Sequence, residues 1–330
     1  MKCLIRVKSC FFAWLLNMML IIAGLITFTV QAEEQQDARF YLQHIISARE
    51  TLSFTGIFNY SRPDHKMERY VYQVYQQITD DGKTKEWVKL SNLDEGFILV
   101  DKEVVCVTKG YKSKFRASSI LQSLTRENID NLLQDYDISL SEKELQVANR
   151  SAQELIFKAK DNYRYTYKLA FDKSTFFPLQ YIFFDKDNKL LEQGHFSQFN
   201  PVSNDQVVVE PFATSCLKIN KQQPKINQTN WIITWKPLGF NLEKVIVSQH
   251  NDEQLVYSDG LVYFSVFIEP LSDSRMSNLE RYFGATVVIS RQIDLPDNKK
   301  YFVTVVGEIP LSTAERIALS LHQQTDIHNL

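Results

Sequence analysis

The residues best suited to chemistry, histidine and cysteine, are few and widely spaced in this sequence. Six histidines occur, at His44, His65, His195, His250, His322 and His328. No two stand four residues apart, the spacing that places two imidazoles on one helix face around a zinc ion. The sequence has no G-x-S-x-G motif, and with only 10 glycines it has no glycine-rich phosphate loop. We therefore expect no metal, no cofactor and no catalytic residue, and a protein that binds a partner without being an enzyme.

Aromatic residues offer a different chemistry, which is apolar binding. They make up 12% of the chain, and in its first half many alternate with polar residues, as in strands with one buried face. Six of them form a candidate lipid-binding face: Phe54, Phe58, Tyr60, Tyr70, Tyr72 and Trp87. Two interpretations remain open. The face is an ordinary core covered by helices, or it lines a cavity for acyl chains, in which ten buried methylenes would supply about 8 kcal/mol.

The first 32 residues have the pattern of a secretory signal peptide. Lys2, Arg6 and Lys8 precede an apolar run that ends in Val30-Gln31-Ala32, a small-residue pattern typical of a cleavage site. We predict export from the cytoplasm with cleavage after Ala32. The alternative is an uncleaved membrane anchor, since about 20 apolar residues can span a bilayer. The chain carries 37 basic and 39 acidic residues, and this mildly acidic balance disfavours nucleic acid as a partner.

Two of the four cysteines, Cys106 and Cys216, lie beyond the leader. An exported protein meets a compartment that permits disulfides. The two residues are far apart in sequence, and one lies in a strand-like run. We expect two separate buried or half-buried thiols, with a bridge as the alternative.

Apolar spacing divides the remaining chain into two predicted domains of the α+β class. Residues 33–205 begin with a helix from Asp37, continue as alternating runs separated by turns, and include a second helical stretch near 118–133. They predict one long, strongly curved antiparallel sheet with two helical pieces available to cover its concave side. Residues 206–230, rich in Gln, Asn and Lys, are expected to be a linker.

Residues 231–330 predict a smaller α+β domain. The dipeptide Asp259-Gly260 stands between two alternating runs and indicates a hairpin. A final helix is expected from Ser312, where Ser312 and Glu315 have the spacing of a capping box.

Several short segments, in their order and spacing, resemble the MucB/RseB family. In the first domain they are FTGIFNY (54–60), DNYRYTY (161–167), FPLQ (177–180) and LEQ (191–193). In the second they are WKPLGF (235–240), YSDGL (257–261) and VVGEIP (305–310). Each segment alone is weakly specific, and the resemblance rests on all of them together over essentially the whole mature length.

The resemblance implies a periplasmic negative regulator of the sigma-E envelope-stress response. Such proteins have a first domain like the lipoprotein carriers of the outer-membrane sorting pathway, which is a half-barrel covered by helices. They bind the periplasmic part of a membrane-spanning anti-sigma factor, shield it from proteolysis, and release it on sensing lipopolysaccharide or mislocalised lipoprotein. A periplasmic lipid or lipoprotein carrier is the alternative function, and a homo-oligomer is a further expectation.

The predicted hairpin of the second domain is the candidate partner-binding surface. Its residues are Tyr257, Asp259, Gly260 and Tyr263. The alternative explanation for this motif is structural, because a tight turn at Asp259-Gly260 needs a residue that tolerates positive φ.

Overall fold

The structure is a computed structural model of the 330-residue chain. It describes residues 37–63, 68–93, 95–108, 124–203, 216–219, 229–248, 252–271, 278–294 and 300–323. The predicted signal peptide and its cleavage site lie outside these residues, as do parts of the predicted helical stretch near 118–133 and of the predicted linker.

The first domain is built on a twelve-stranded antiparallel sheet. The strands are β1 Ser53–Arg62, β2 Glu68–Ile78, β3 Thr84–Leu90, β4 Gly96–Val100, β5 Glu103–Thr108, β6 Tyr136–Leu140, β7 Leu145–Val147, β8 Arg150–Ala159, β9 Thr166–Asp172, β10 Pro178–Phe184, β11 Leu190–Val202 and β12 Cys216–Lys218. They lie in the order β12-β5-β4-β3-β2-β1-β11-β10-β9-β8-β6, with β7 paired to β8. The sheet is therefore open, which confirms the predicted half-barrel.

Helix α1, residues 37–51, covers the apolar face of this sheet, as predicted from its spacing. It buries Leu42, Ile45 and Ile46 in the same core as the strand aromatics. Gln76 of β2 donates two 2.9 Å hydrogen bonds, to the carbonyl oxygens of Arg49 and Leu52. Since the last carbonyls of a helix have no partner within the helix, this amide fixes the end of α1 on the sheet.

The second helical piece is shorter than predicted within the described residues. A 3-10 turn, Arg126–Asn128, leads into α2, Ile129–Asp135. Helix α2 buries Ile129, Leu132 and Leu133, and strand β6 begins at the residue after its end.

The second domain contains a six-stranded antiparallel sheet, a strand pair and one helix. The strands are β13 Trp231–Ile233, β14 Asn241–Val247, β15 Glu253–Ser258, β16 Tyr263–Pro270, β17 Leu279–Phe283, β18 Thr286–Asp294, β19 Lys300–Gly307 and β20 Leu321–Gln323. The six strands of the sheet lie in the order β14-β15-β16-β19-β18-β17, and β13 pairs with β20. Helix α3, Leu311–Leu319, packs on β18 and β19.

The predicted capping box is wrong, although the helix exists. Helix α3 begins at Leu311 with Pro310 as its N-cap, and the cap makes no side-chain hydrogen bond. Ser312 is therefore already inside the helix. The carboxylate of Glu315 instead accepts a 2.7 Å hydrogen bond from Arg291 on β18.

The prediction of two separate thiols is also wrong. Cys106 and Cys216 form a disulfide, with their Cα atoms 5.7 Å apart. Part of the segment predicted as linker, Cys216–Lys218, is the edge strand β12, and it pairs with β5. The two cysteines are 110 residues apart in sequence, and the pairing of β12 with β5 brings them together. No local pattern in the sequence indicates this strand pairing.

Candidate functional site at the domain junction

Most of the predicted lipid-binding face is filled by the first domain's own side chains. Phe54, Phe58, Tyr60 and Tyr72 are buried, and Tyr70 packs partly buried against them. The Phe54 ring lies 4.6 Å from that of Phe177 and 5.1 Å from that of Phe199, measured between centroids. Acyl binding at this face remains a prediction, and it would require these rings to move.

Trp87 does not belong to that face. It is paired with Tyr75 and packs with Ile98 and the Cys106–Cys216 disulfide, in a small cluster separate from the main core. The neighbouring pair of Val74 and Val88 faces the main core. Adjacent residues of a strand point to opposite sides. The prediction that placed Trp87 with Phe54 therefore assigned it to the wrong side of the sheet.

The predicted partner-binding hairpin faces the first domain. Tyr257, Asp259 and Gly260 are buried, whereas Tyr263 is 36% exposed. Gly260 has φ of +90°, and an added Cβ would lie 2.6 Å from the Cβ of Asn128. The turn thus needs glycine for its conformation and for its contact with the other domain. In this arrangement most of the hairpin is buried against the first domain, and its role as a partner-binding surface stays a prediction.

Asp259 is the centre of a buried polar junction between the domains. Its Oδ2 atom accepts a 2.9 Å hydrogen bond from Arg164 Nε and a 2.8 Å hydrogen bond from the Tyr136 hydroxyl. Its Oδ1 atom accepts from the backbone amides of Leu261 and Val262, each at 2.9 Å. One carboxylate therefore holds the hairpin turn in shape and attaches it to the first domain.

Arg164 connects this carboxylate to further parts of both domains. Its guanidinium contacts the Asp161 carboxylate and the Leu238 carbonyl oxygen, and lies 3.5 Å from Asp135. The Arg164 side chain is 1% exposed and that of Asp259 is 0% exposed. Burial alone would lower the pKa of Arg164, but Tyr136, Asp259 and Asp161 raise it, so the guanidinium stays charged.

The buried Arg164–Asp259 pair restricts how the two domains are arranged more than it adds to the free energy of unfolding. Its attraction roughly offsets the desolvation of the two charges, whereas removal of one partner leaves the other charged and unpaired, at a cost of about 3–5 kcal/mol. The requirement that both be satisfied restricts the two domains to an arrangement in which Arg164 and Asp259 meet.

Glu192 makes a second contact across the junction. This residue of β11 is 4% exposed, and its Oε2 atom lies 3.3 Å from the Tyr60 hydroxyl and 3.2 Å from the backbone nitrogen of Ala285 in the second domain, both of which donate to it. Burial raises the pKa of Glu192 to about 7, although these donors and Arg62 oppose the shift. Gly284 has φ of +65°, and an added Cβ would lie 2.5 Å from Glu192 Oε2.

A third contact lies at the edge of the junction, where α3 meets the first domain. The hydroxyl of Thr313 donates a 3.1 Å hydrogen bond to the backbone oxygen of Tyr163. The Arg316 guanidinium lies 3.9 Å from the centroid of the Trp235 ring, and Trp235 is in edge contact with Tyr163.

The sequence interpretation missed Arg164 and Glu192, although both stand in segments that carry the resemblance. A usable signal was present. Arg164 is flanked by Tyr163 and Tyr165, and Glu192 follows Leu190-Leu191. A charge inside an apolar strand-like run is expensive to bury unless it is paired, so it points to a partner elsewhere in the fold. It does not say which partner.

The described residues hold no group of three or more His, Cys, Asp or Glu side chains placed to bind a metal. In the same part of the chain no helix is long and apolar enough to cross a membrane. The buried carboxylates at the junction are occupied by structural partners, so the chemistry that they support is attachment between two surfaces.

These features define a two-domain sheet protein whose apolar surfaces are largely internal and whose domains meet across buried charges. The chain belongs to the MucB/RseB family. The family profile of the MucB/RseB N-terminal domain matches residues 37–228, and that of the MucB/RseB C-terminal domain matches residues 225–322.

Characterised relatives are regulatory proteins. The chain is 30% identical over 305 residues to the sigma factor AlgU regulatory protein MucB of Pseudomonas aeruginosa, covering 89% of this chain and 94% of that protein. It is 29% identical over 206 residues to the sigma-E factor regulatory protein RseB of Escherichia coli K12, covering 60% and 63% respectively.

Solved structures agree over both domains. The P. aeruginosa MucA/MucB complex matches with a TM-score of 0.72 and 29% identity, covering 87% of this chain and 99% of that chain. MucB in complex with MucA(peri) matches with a TM-score of 0.70 and 28% identity, with the same coverage.

Proposed function

We propose that the chain is a periplasmic regulator that binds the periplasmic region of a membrane-spanning sigma-E anti-sigma factor. The observation that carries this proposal is the match over both domains to a MucB solved in complex with MucA. Family membership over residues 37–322 supports the same class of function. The pattern of residues 1–32 supports export, with cleavage after Ala32.

The proposed regulation has two parts, protection and release. Bound regulator shields the anti-sigma factor from proteolysis, and lipopolysaccharide or mislocalised lipoprotein causes it to let go. Moving the partner from 99% bound to 1% bound needs about 5.5 kcal/mol of differential ligand binding. Burial of roughly seven methylenes in the released form alone would supply this.

The structure adds a condition to the release step. The aromatic face without Trp87 is filled in the described conformation, in part by the rings of Phe177 and Phe199 packed on Phe54. An acyl chain would therefore bind a rearranged form. Any ligand that favours such a form shifts the population towards it by the difference in its affinity for the two forms.

A protection assay tests the proposal. The mature chain from Glu33 is mixed with the periplasmic region of the anti-sigma factor from the same bacterium, and a site-specific protease is added. We expect saturable binding and slower cleavage of the partner, both reversed by lipopolysaccharide or a diacylated lipoprotein. An unrelated periplasmic protein of similar size is the control for simple competition.

The same assay distinguishes the proposed regulator from the alternative function, a lipid or lipoprotein carrier. A carrier would take up a lipoprotein and pass it to an acceptor, and would leave cleavage of the anti-sigma fragment unchanged. Transfer without protection would overturn the proposed function.

A further inference from the structure

Strand β17 is exposed along its whole length. All five residues of Leu279–Phe283 are exposed, including Leu279 at 37%, Tyr282 at 52% and Phe283 at 43%. Among the described strands it pairs only with β18, so it forms one edge of the second sheet. Natural edge strands are usually protected by short length, charged side chains, proline or a bulge. Strand β17 carries Glu280 and Arg281, but it has no proline and its register with β18 is regular, so its outward backbone groups can still pair with another strand.

The turn after β17 determines which backbone groups are free. Phe283 pairs with Thr286, so Gly284 and Ala285 form a two-residue turn, and Gly284 has φ of +65°. Glycine at the first turn position is typical of a type II′ hairpin, whose closing pair is hydrogen bonded. By alternation, Leu279, Arg281 and Phe283 direct their amides and carbonyls to β18. Glu280 and Tyr282 direct theirs away from the sheet.

The far end of β17 meets the first domain. The amide of Ala285 donates to Glu192, and the Arg62 guanidinium lies 5.7 Å from the centroid of the Phe283 ring. A strand added beside β17 would therefore continue from the second sheet onto the first domain at Arg62.

One side of β17 combines apolar and cationic groups. Leu279, Arg281 and Phe283 share this side at period two. Arg281 is exposed. Arg62 lies over the Phe283 ring and also faces Glu192, so Arg281 is the cation on this side that would meet a partner's carboxylate.

We propose that the edge of β17 binds an extended segment of the anti-sigma factor's periplasmic region as an added strand. The segment would place apolar side chains against Leu279 and Phe283 and a carboxylate near Arg281. Strand addition of this type takes its affinity from main-chain hydrogen bonds and its specificity from alternate side chains. The inference rests on the proposed function and adds the place and the conformation of the partner.

A second copy of the chain fits this edge less well. Pairing of two five-residue strands would bury far less than the roughly 1,200 Å² that a stable interface needs. A partner segment that adds a strand and then continues over the domain junction can bury a larger area. Because β17 lies next to the junction, this edge favours a flexible partner segment over a second copy of the chain.

The test uses the mature full-length chain and compares three variants. Tyr282→Pro removes an outward amide without loss of a hydrogen bond to β18, as proline is tolerated at such edge positions. Tyr282→Thr keeps the amide and removes the ring. Leu242→Thr, on the opposite edge strand β14, removes a side chain that is 44% exposed and is the matched control. Affinity for the anti-sigma fragment is measured for each.

We expect at least a tenfold loss of affinity for Tyr282→Pro, a smaller loss for Tyr282→Thr and no change for Leu242→Thr. In the wild-type complex, the amides of Glu280 and Tyr282 should become protected from hydrogen exchange. This second measurement decides the matter if Tyr282→Pro fails to fold.

Wild-type affinity in a folded Tyr282→Pro variant, or unchanged exchange at both amides, would overturn the added strand while leaving the proposed function intact. Loss of self-association alone in that variant would identify a second copy as the occupant and would also overturn it. Absence of any binding by the wild-type chain would instead refute the proposed function.

Discussion

The interior of the first sheet and the junction between the domains are both buried, but they are built from different interactions. The interior is a set of packed rings such as Phe183, which lies 4.5 Å from Tyr167 between centroids and is 0% exposed. The junction depends on directed contacts of Arg164, Asp259 and Glu192. Ring packing tolerates small shifts, whereas a buried hydrogen-bonded charge does not. The first region therefore supplies stability, and the second selects one domain arrangement.

The largest expected effect is on the interior. Phe183→Ala removes a fully buried ring between Tyr167 and Tyr181 and leaves a cavity. We expect the free energy of unfolding of the first domain to fall by about 3–5 kcal/mol. Urea denaturation followed by circular dichroism measures it. A loss below about 1 kcal/mol would show that the interior is loosely packed, and would remove the contrast between the two regions.

Removal of the central junction cation should have a different outcome. Arg164→Met keeps much of the side-chain volume but leaves Asp259 buried without its charge partner, at a cost of about 3 kcal/mol. We expect the contact between domains to weaken while each sheet stays folded, so calorimetry should show two separated unfolding transitions. One cooperative transition with an unchanged midpoint would contradict the assigned role of Arg164.

The pH dependence of the junction follows from Glu192. Burial raises its pKa from 4.5 to about 7, so the folded chain binds more protons than the unfolded chain between these values. The contribution of Glu192 to stability therefore falls as pH rises from about 4.5 to about 7, by about 3 kcal/mol in total. Glu192→Gln should remove this fall. Parallel pH profiles of the two proteins would count against the shifted pKa.

The smallest effect is expected at the exposed edge of the junction. Arg316→Gln removes the cation over the Trp235 ring, which at an exposed site is worth about 0.5–1 kcal/mol. We expect a small decrease in the midpoint of thermal unfolding and no separation of the transitions. A change as large as that of Arg164→Met would show that the exposed contact, and not the buried charges, holds the domains together.

The sequence predicted the apolar part of this fold well. Alternation located β1 and β2, and the spacing of Leu42, Ile45 and Ile46 located α1, because burial of one face imposes a period on the residues themselves. The order of short segments identified the family, which the profile matches to both domains confirm. The edge strand β17 was missed, since a strand with no buried face carries no such period.

The candidate site was harder to predict, because its residues become neighbours only through the fold. Arg164 and Asp259 are 95 residues apart, and nothing in either local sequence names the other. The Cys106–Cys216 disulfide was missed for the same reason. Asp259 and Gly260 were correctly predicted as a turn, but the side of the molecule that this turn faces depends on the arrangement of the domains.

Partner binding and the role of the buried junction are tested together by one measurement. It is the affinity of the mature chain for the anti-sigma factor's periplasmic region, determined in parallel for wild type and Arg164→Met. We predict saturable binding by the wild type and at least a tenfold weaker affinity for the variant, with both domains still folded. No binding by a correctly folded wild-type chain would contradict the proposed function. Equal affinities would show that the domain arrangement fixed by Arg164 and Asp259 does not matter for partner binding.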